Sequence, residues 1–591
     1  MRLDVLRRLT LPASPPRFLL RAAWKYGLGV GVAALVLTAG GVDRVQPNGY
    51  ALTTSVLPTT VPCGTIATDL NDPSTATWSA IKSPYGTGSP YNLPVSTTNN
   101  TDPTVEPCDA IVVPKDVTLK IDASQGPVKI FSHGAAIQVD GGHLLVLGRD
   151  EVNSVLFDAE PDVASWVGIT VNASDSSHLG NASFAFASIQ HALFSITITS
   201  GASSTPDPTD LSKQLPFGLA LVNSGIGPSY FDGIDARDTP VSVKGQVAGS
   251  PSRADGKFGT VNNIGSEGIK FNWGPSAPAL PANGLALKVD SVAFGSSVPF
   301  AETGCLPLQL PCSAGSIGND AIIANFTTPN PPPVFVTQSR FYRAGSFGIQ
   351  LNGPMRPVIT HNNFDCNGTG SPKPIQTCVG SGLKYSAIYL NTATVDLESS
   401  VTDNFGHEDG LDAVVLNGSI VYAPGLSNPL LTWKNATNDA THDHELGYLL
   451  NGDLNLNSGT FFVPGGSVVK SKGTINLTGA TLDASDLSKP GTKVFTSLRD
   501  NINITSCPSV FVQSCPSPLP AGEWGGINLV GSATDAAFRS ATQSTITNAA
   551  ILYATTGVHI VNGNSLVING SAIGPTFADG VLAEGTPLAV T

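Results

Sequence analysis

The chain has 591 residues, of which 13% are charged and 41% are hydrophobic. This composition is too apolar for a disordered chain, and 62 glycines with 45 prolines are too many for a helical bundle or a coiled coil. The net charge of -13 argues against nucleic acid as a partner, because phosphates need a basic face. Composition therefore favours an all-β protein, built as several domains or as one elongated repeat.

Basic charge is concentrated at the N-terminus. Residues 1–25 hold six Arg or Lys side chains and one Asp, so the rest of the chain carries a net charge of -18. An apolar run over residues 26–42 follows, and this order is typical of an export signal whose N-terminus stays inside the cell. The run is shorter than the roughly 20 residues of a spanning helix, and a cleaved signal peptide and an uncleaved anchor both remain open. We predict a cytoplasmic head, membrane contact only through residues 26–42, and a body that is secreted or held at the cell surface.

The eight cysteines agree with export, because an even count in an exported chain indicates disulfides. Sequence proximity pairs Cys63 with Cys108, Cys305 with Cys312, Cys366 with Cys378, and Cys507 with Cys515. Zinc binding is the alternative, but no Cys-x2-Cys spacing or paired histidine accompanies these cysteines. We therefore predict four local disulfides.

A five-residue pattern recurs along the chain: a small residue, two apolar residues separated by a variable one, and an asparagine. It occurs at residues 168–172, 268–272, 348–352, 387–391 and 413–417, and looser copies end at Asn223 and Asn562. The two apolar residues point to the same side of a strand, because side chains alternate along it. Asparagine tolerates the left-handed conformation that a sharp corner needs, so we place it at the end of the strand.

The spacing of these copies indicates a stack of coils. Asn391 and Asn417 are 26 residues apart, and Gly557 and Gly580, both followed by valine, are 23 residues apart. A period of about 20–25 residues with short strands is typical of a solenoid, in which each coil buries its apolar residues against its neighbours. Equivalent asparagines are then expected to form a hydrogen-bonded ladder. The residues expected to point inward are Ile169, Val171, Ile349, Leu351, Val414 and Leu416.

A larger repeat spans several coils. Residues 155–159 precede Trp166, and residues 493–497 precede Trp524 in the same order. We expect both tryptophans to fill the core at a coil boundary, with a sugar-stacking platform as the alternative. The predicted organisation is a head over residues 1–25, a signal or anchor over 26–42, a Thr/Pro-rich spacer and N-terminal cap over 43–110, and two β-helix segments over 111–440 and 441–591.

These motifs resemble those of a known group. The V-x-F-T-S and W-x-G-I motifs and the strand-Asn series are similar to those of bacterial right-handed parallel β-helix proteins, the pectate-lyase-like solenoids. The resemblance covers roughly residues 105–591, is weak at about 200–335 and is clearest over 461–529. It implies an all-β, right-handed parallel β-helix. It implies no single activity, because that superfamily includes lyases, hydrolases, adhesins and phage spikes.

The densest polar cluster lies within ten residues and comprises Asp403, His407, Glu408, Asp409 and Asp412. Carboxylates crowded on a solenoid turn suit calcium, which takes oxygen ligands, and a close pair also suits acid–base chemistry. Like charges at this distance repel unless a cation or a proton relieves them. We predict that calcium, or a cationic or hydroxyl-rich ligand, binds here. A solvated turn between two strands is the alternative.

Alternating histidines form a second candidate site. His442 and His444 would face the same way on an extended strand, as two ligands of one metal ion must. The alternative is a polar segment that leads into the strand at Tyr448.

Three functions fit this sequence. The leading hypothesis is an exported or cell-surface β-helix that binds polysaccharide or another surface, such as a cell-surface glycan, without catalysis. The second is a carbohydrate-active enzyme, a polysaccharide lyase or a glycoside hydrolase, that uses acidic residues and calcium. The third is a structural spacer. The sequence contains no nucleophile elbow, phosphate-binding loop or H-E-x-x-H motif, so calcium is the one cofactor considered.

Overall fold

A computed structural model gives the architecture of most of the chain beyond residue 57. The described residues are 58–85, 88–96, 107–161, 163–245, 260–261, 264–281, 284–295, 317–328, 332–367, 386–392, 394–395, 400–407, 409, 411–417, 420–422, 430–435, 444–488, 491–500, 519–531, 543–562 and 565–591. The predicted head and the predicted signal or anchor lie outside them. Among the described residues, no helix has the length and apolarity needed to cross a membrane.

Strands dominate because apolar and polar residues alternate over short segments. In the strand Ile169–Asn172, for example, Ile169 and Val171 are buried while the two residues between and after them are half-buried. The described residues contain 53 strands. They form five long sheets, named sheets 1 to 5 here, and one small hairpin. The fold is therefore all-β, as predicted.

The strands divide among the sheets as follows. Sheet 1 contains β3 Thr75–Ser79, β6 Thr118–Asp122, β9 His143–Leu147, β12 Asn181–Ala185, β17 Leu219–Val222, β20 Val241–Lys244, β23 Leu287–Asp290, β26 Pro333–Thr337, β29 Arg356–Thr360 and β33 Val401–Thr402. Sheet 2 contains β1 Thr59–Thr60, β4 Tyr91–Leu93, β7 Val128–Ser132, β10 Val155–Ala159, β13 Ala187–Ile189, β18 Gly225–Ile226, β21 Thr260–Val261, β24 Ala293–Phe294, β27 Arg340–Tyr342, β30 Asn363–Asp365, β34 Phe405–His407 and β38 His444–Glu445.

Sheet 3 is the longest and contains β2 Gly64–Thr65, β5 Ala110–Val113, β8 Ala136–Asp140, β11 Ile169–Asn172, β14 Ile196–Thr199, β19 Ile234–Arg237, β22 Ile269–Trp273, β25 Ile322–Phe326, β28 Ile349–Asn352, β31 Ile388–Asn391, β35 Ala413–Asn417, β39 Gly447–Leu450, β42 Val468–Ser471, β45 Lys493–Ser497, β48 Ala549–Ile551 and β51 Ala572–Ile573.

Sheet 4 contains β32 Thr394–Val395, β36 Ile420–Tyr422, β40 Leu454–Leu456, β43 Thr474–Thr478, β46 Gly526–Val530, β49 Val558–Val561 and β52 Val581–Glu584. Sheet 5 contains β37 Leu430–Thr432, β41 Gly459–Phe462, β44 Ala480–Ala484, β47 Gln543–Thr547, β50 Ser565–Asn569 and β53 Leu588–Val590. The hairpin pairs β15 Thr205–Asp207 with β16 Asp210–Leu215 in antiparallel orientation.

The chain winds as a solenoid in which equivalent strands of successive coils pair. In the first region each coil runs through sheets 1, 2 and 3, and in the second region through sheets 3, 4 and 5. Sheet 3 continues through both, whereas β33 ends sheet 1 and β38 ends sheet 2. Strand pairs within the five sheets are parallel, except that β38 runs antiparallel to β34. Strands β1 to β4 show that part of the predicted spacer over 43–110 already lies within the stack.

Equivalent apolar residues stack to form one long core. The column on sheet 3 runs through Ile169, Ile196, Ile234, Ile269, Ile322, Ile349, Ile388 and Val414. The six residues that were expected to point inward are all at most 1% exposed, which confirms that prediction. Each coil buries its apolar face only against the coils on either side, so the stack stabilises what a single coil cannot.

Side-chain amides join six successive strands of sheet 3 in the predicted ladder. The ladder comprises Asn272, Asn325, Asn352, Asn391, Asn417 and Asn451. Each Nδ2 donates to the Oδ1 of the preceding asparagine at 2.9–3.4 Å. Asn172 lies outside it, because its neighbours in register are Asp140 and Thr199.

The left-handed corner does not fall on these asparagines. After β28 and β31 the next residue adopts it instead, with φ 89° at Gly353 and φ 62° at Thr392. Among the asparagines of the recurring pattern, only those of the looser copies have a positive φ, 47° at Asn223 and 56° at Asn562. The prediction that asparagine supplies the corner is therefore wrong for the main series. There the amide ladder requires an extended residue whose side chain faces the next coil.

Trp166 and Trp524 are equivalent and structural, as predicted. Both are at most 2% exposed, and both indole N–H groups donate to a backbone carbonyl of the next coil at 2.8 Å. Gly168 and Gly526 follow with φ 110° and 97°, and a Cβ at either would lie 1.7 Å from a carbonyl oxygen. The strand that follows belongs to sheet 3 in the first copy and to sheet 4 in the second. The Trp–Gly arrangement is therefore the same in both copies, although the strand after it belongs to a different sheet in each.

Candidate functional site at the turn into sheet 3

The predicted acidic cluster is divided between two turns. Asp403 occupies the left-handed corner between β33 and β34, where its carboxylate lies 3.4 Å from His361 Nε2. Asp409 and Asp412 lie at the turn into β35, and both are 1% exposed. His407 ends β34, and its side chain and the whole of Glu408 lie outside the described residues. The structure thus brings Asp409 and Asp412 together but not Asp403.

Asp409 is the hydrogen-bond acceptor for two buried N–H groups of Asn367. Its Oδ1 accepts hydrogen bonds from the backbone N–H of Asn367 at 2.8 Å and from Asn367 Nδ2 at 2.9 Å. Asn367 in turn accepts from the backbone N–H of Ala344 at 3.0 Å, so three successive coils are joined at one corner. Burial, reinforced by the charge of Asp412, raises the pKa of Asp409 well above its usual range. A protonated carboxyl relieves the repulsion without a cation, which favours a structural role for Asp409.

The metal hypotheses remain predictions. His442 lies outside the described residues, and His444 belongs to β38 but its side chain is not described. Across the described part of the chain, no three His, Cys, Asp or Glu side chains are placed to share one metal ion.

Acidic residues recur at the turn from sheet 2 into sheet 3. In four coils an acidic residue directly precedes a Gly or Ala that leads into a strand of sheet 3: Asp232, Glu267, Asp320 and Asp412. Of these four acids, only Asp412 belongs to the predicted cluster. The signal that could have found the others was visible in the sequence: an acid followed by Gly or Ala and then by the first apolar residue of a sheet 3 strand.

Asp232 and Glu267 form a coupled pair across two successive coils. Their side chains are hydrogen-bonded, and the backbone N–H of Glu267 donates to Asp232 Oδ1 at 3.2 Å. Asp232 is 2% exposed, and burial together with Glu267 raises its pKa to about 7. Burial would also raise the pKa of Glu267, but hydrogen bonds from Asp232 and Ser266 outweigh it and lower that pKa. The pair therefore retains one proton near neutral pH.

A lysine on the next strand balances this pair. Lys270 Nζ lies 3.2 Å from Asp232 Oδ2 and 3.8 Å from Asp235 Oδ2, and its side chain remains 34% exposed. Burial would lower the pKa of Lys270, but the charges of Asp232 and Asp235 outweigh it and raise the pKa. Asn319 Nδ2 donates to Glu267 Oε1 at 3.3 Å from the following coil. The ammonium group of Lys270 thus occupies the space between the carboxylates in which a metal cation would have to bind.

An aromatic pair adjoins the cluster. Phe194 and Phe231 stack across successive coils with ring centroids 5.0 Å apart and an interplanar angle of 21°. Phe231 immediately precedes Asp232 and is 38% exposed, one of the few large exposed apolar side chains among the described residues. A partly exposed phenyl ring therefore lies at the same turn as an amide, an ammonium and two carboxyl groups. We call Phe194, Phe231, Asp232, Glu267 and Lys270 the sheet 3 cluster.

One predicted disulfide is confirmed. Cys63 and Cys108 are bonded, with Cα atoms 5.6 Å apart. Cys366 is also disulfide-bonded, and its predicted partner Cys378 lies outside the described residues. The other two predicted pairs, Cys305 with Cys312 and Cys507 with Cys515, lie wholly outside them.

Comparison with known proteins gives no match, whether to a family model, to a curated protein or to a solved structure.

Proposed function

We propose that this protein is a surface-binding solenoid that holds a neutral polysaccharide at the sheet 3 cluster, without catalysis. The observation that carries the proposal is the exposed ring of Phe231, stacked on Phe194 beside Asp232, Glu267 and Lys270. A sugar ring has an apolar C–H face and hydroxyls around its edge. The aromatic ring would cover the former, and the half-buried Glu267 carboxylate and Lys270 ammonium would bond the latter.

The charge of the cluster favours a neutral ligand. The pair of Asp232 and Glu267 retains one proton near neutral pH, and the positive charges of Lys270 and Arg237 are matched by the carboxylates beside them. The cluster therefore offers no excess positive charge to a polyuronate, whose carboxylates would be repelled by those of the site. The stacking of Phe194 and Phe231 on successive coils also suits a polymer, since it extends the aromatic surface along the stack.

The test is binding to a panel of insoluble polysaccharides, neutral ones such as cellulose, starch and galactomannan beside polygalacturonate. Phe231→Ala should weaken retention by the neutral polymers about 10-fold or more, because a buried aromatic contact is lost. Phe577→Ala is the matched control, since Phe577 is 76% exposed and lies near the C-terminal end of the stack. Equal binding by Phe231→Ala and wild type, or retention by polygalacturonate alone, would contradict the proposal.

Acid–base catalysis is the second candidate, because the pKa of about 7 at Asp232 suits a proton donor. Its carboxyl is hydrogen-bonded to that of Glu267, which is closer than the roughly 5 Å separation of the two carboxylates in retaining glycosidases. The geometry therefore favours binding over hydrolysis. A screen for glycosidase and uronate lyase activity, repeated with Asp232→Asn, separates the two functions: activity lost in the variant would support catalysis.

We further propose that the solenoid is right-handed and pectate-lyase-like, and that it acts outside the cell, either secreted or anchored through residues 26–42. The Cys63–Cys108 disulfide supports an oxidising compartment, and the basic head before an apolar run supports export. Protease treatment of intact cells tests this. Digestion of the body without lysis is expected, and full protection would contradict export.

A further inference from the structure

A cleft on the outer face of sheet 1 has no role in the proposed function. The hairpin β15–β16 is inserted between β14 and β17 and packs against β12 and β17. Residues 143 and 145 of β9 and residues 181 and 183 of β12 are paired in register on the outward side, beneath it. A cavity of about 230 Å³ remains there, lined on one side by sheet 1 and on the other by residues 204, 206 and 214.

The hydrogen bonds in this cleft orient its histidine. Asn181 Nδ2 donates to the Ser204 carbonyl at 3.0 Å, which directs Asn181 Oδ1 toward His143 Nδ1 at 2.8 Å. An amide oxygen only accepts, so Nδ1 carries the hydrogen. In the neutral imidazole Nε2 is then an acceptor. The cleft thus holds a hydrogen-bond acceptor whose orientation is fixed by two neighbouring strands and the segment that leads into the hairpin.

The remaining lining is neutral and amphipathic. Thr118 and Gln214 contribute a hydroxyl and an amide, and Leu145 and Pro206 contribute apolar surface. No carboxylate, ammonium or guanidinium group is among the lining residues. Pockets for drug-sized ligands are about 300–1,000 Å³. This cavity is smaller, and it combines a few fixed polar groups with apolar walls.

We propose that this cleft binds a single neutral sugar ring. His143 Nε2 accepts from one hydroxyl, Gln214 and Thr118 bond others, and Leu145 with Pro206 covers the C–H face. The site does not rest on the proposed function, because it lies on sheet 1 under the hairpin and the sheet 3 cluster lies on another sheet.

The test is saturation-transfer NMR and calorimetry of the full chain with glucose, galactose, mannose and galacturonate. At least one neutral hexose should bind with a dissociation constant on the order of 1 mM, as a small ligand with few hydrogen bonds does. Ser204→Phe fills the cleft from its exposed rim and should abolish this binding. Gln214→Ala should weaken it about 5-fold, the effect of one lost hydrogen bond.

Ser212→Phe makes the same change on the exposed strand β16, outside the cleft, and should bind like wild type. The proposal is overturned if no neutral hexose binds, if galacturonate alone binds, or if Ser204→Phe binds as Ser212→Phe does. Hexose binding that survives Ser204→Phe but is lost in Phe231→Ala would also overturn it, and would support the sheet 3 cluster instead.

Discussion

Two acid pairs occupy the same turn of the coil and behave differently. Asp232 with Glu267 and Asp409 with Asp412 both precede strands of sheet 3. The register links Lys270 through Ile323, Gln350 and Tyr389 to Val415, so a buried valine stands in the later coil where a lysine stands in the earlier one. Lys270 balances the charge of the first pair and is 34% exposed, whereas burial and the charge of Asp412 keep Asp409 neutral against the hydrogen bonds from Asn367. The outward residue of the neighbouring strand therefore distinguishes an acidic turn that is a candidate site from one that is a structural corner.

The largest expected effect comes from a carboxyl group introduced into the core, where it has neither a lysine nor an asparagine as a partner. Leu351→Asp places a carboxyl in the fully buried core column of β28. It should destabilise the protein by about 4 kcal/mol or more, because a buried group without hydrogen bonds loses its solvation and the leucine contacts are lost as well. Urea unfolding measures it. Gln350→Asp on the adjacent outward position is the control, and a loss of similar size there would contradict the assigned faces.

Removing the acceptor at the buried corner should have the next largest effect. Asp409→Ala leaves the backbone N–H and Nδ2 of Asn367 without their acceptor and should cost about 3 kcal/mol. Asp409→Asn keeps the acceptor oxygen and should cost less than about 1 kcal/mol. Urea unfolding of both variants distinguishes this from a calcium site. If calcium stabilises the wild type and neither variant, Asp409 is a ligand and the structural role is wrong.

The pH dependence of stability should separate the two pairs. The pKa of Asp232 is about 7 when folded and about 3.9 when unfolded, so the folded state binds more protons between these values and stability falls as pH rises from 4 to 7. Between pH 5 and 7, the free energy of unfolding should therefore fall by up to about 2 kcal/mol less in Asp232→Asn than in the wild type. The pKa of Asp409 is also raised, so stability should fall as the pH rises through it, and Asp409→Asn should flatten that part of the curve.

Urea midpoints at pH 5, 6, 7, 8 and 9 measure both slopes. A wild-type curve that rises between pH 5 and 7 and stays unchanged in Asp232→Asn would contradict the proton assignment at the sheet 3 cluster.

The smallest expected effect lies in the ladder that joins the coils of the two pairs. Asn391→Ala removes the bonds with Asn352 at 3.4 Å and with Asn417 at 3.0 Å and should cost about 1–2 kcal/mol. Asn172→Ala, outside the ladder, should cost about 0.5 kcal/mol or less. Because the ladder is at the opposite end of the strands, neither variant should alter the pH dependence. Thermal unfolding of the two variants suffices, and equal losses would show that the ladder adds no stability.

Sequence reasoning predicted the fold well because its signals are local. The alternation at Ile169 and Val171 and at Ile349 and Leu351 fixes which side of a strand is buried, whatever the rest of the chain does. The recurrence of asparagine after these pairs was enough to predict the ladder. The backbone conformation of these asparagines was predicted wrongly. The tendency of asparagine to adopt the left-handed region does not show whether its side chain bonds a partner in the next coil.

The site was predicted less well, because closeness in sequence was taken for closeness in space. Five polar residues within a ten-residue segment suggested one cluster. In the structure Asp403 lies at the corner between sheets 1 and 2, whereas Asp409 lies at the next corner, between sheets 2 and 3. Conversely, Asp232 and Glu267 are 35 residues apart and share a hydrogen bond.

What the sequence determined by itself is therefore the all-β class, the inward faces of the strands, the equivalence of Trp166 and Trp524, and the ladder residues. Each of these follows from patterns within one coil or from repetition of that pattern. Tertiary structure alone decided which acids meet, which of them Lys270 neutralises, and how the hairpin encloses a cleft on sheet 1. These depend on the register between coils of unequal length, and that register is set by core packing over the whole stack rather than by any local segment.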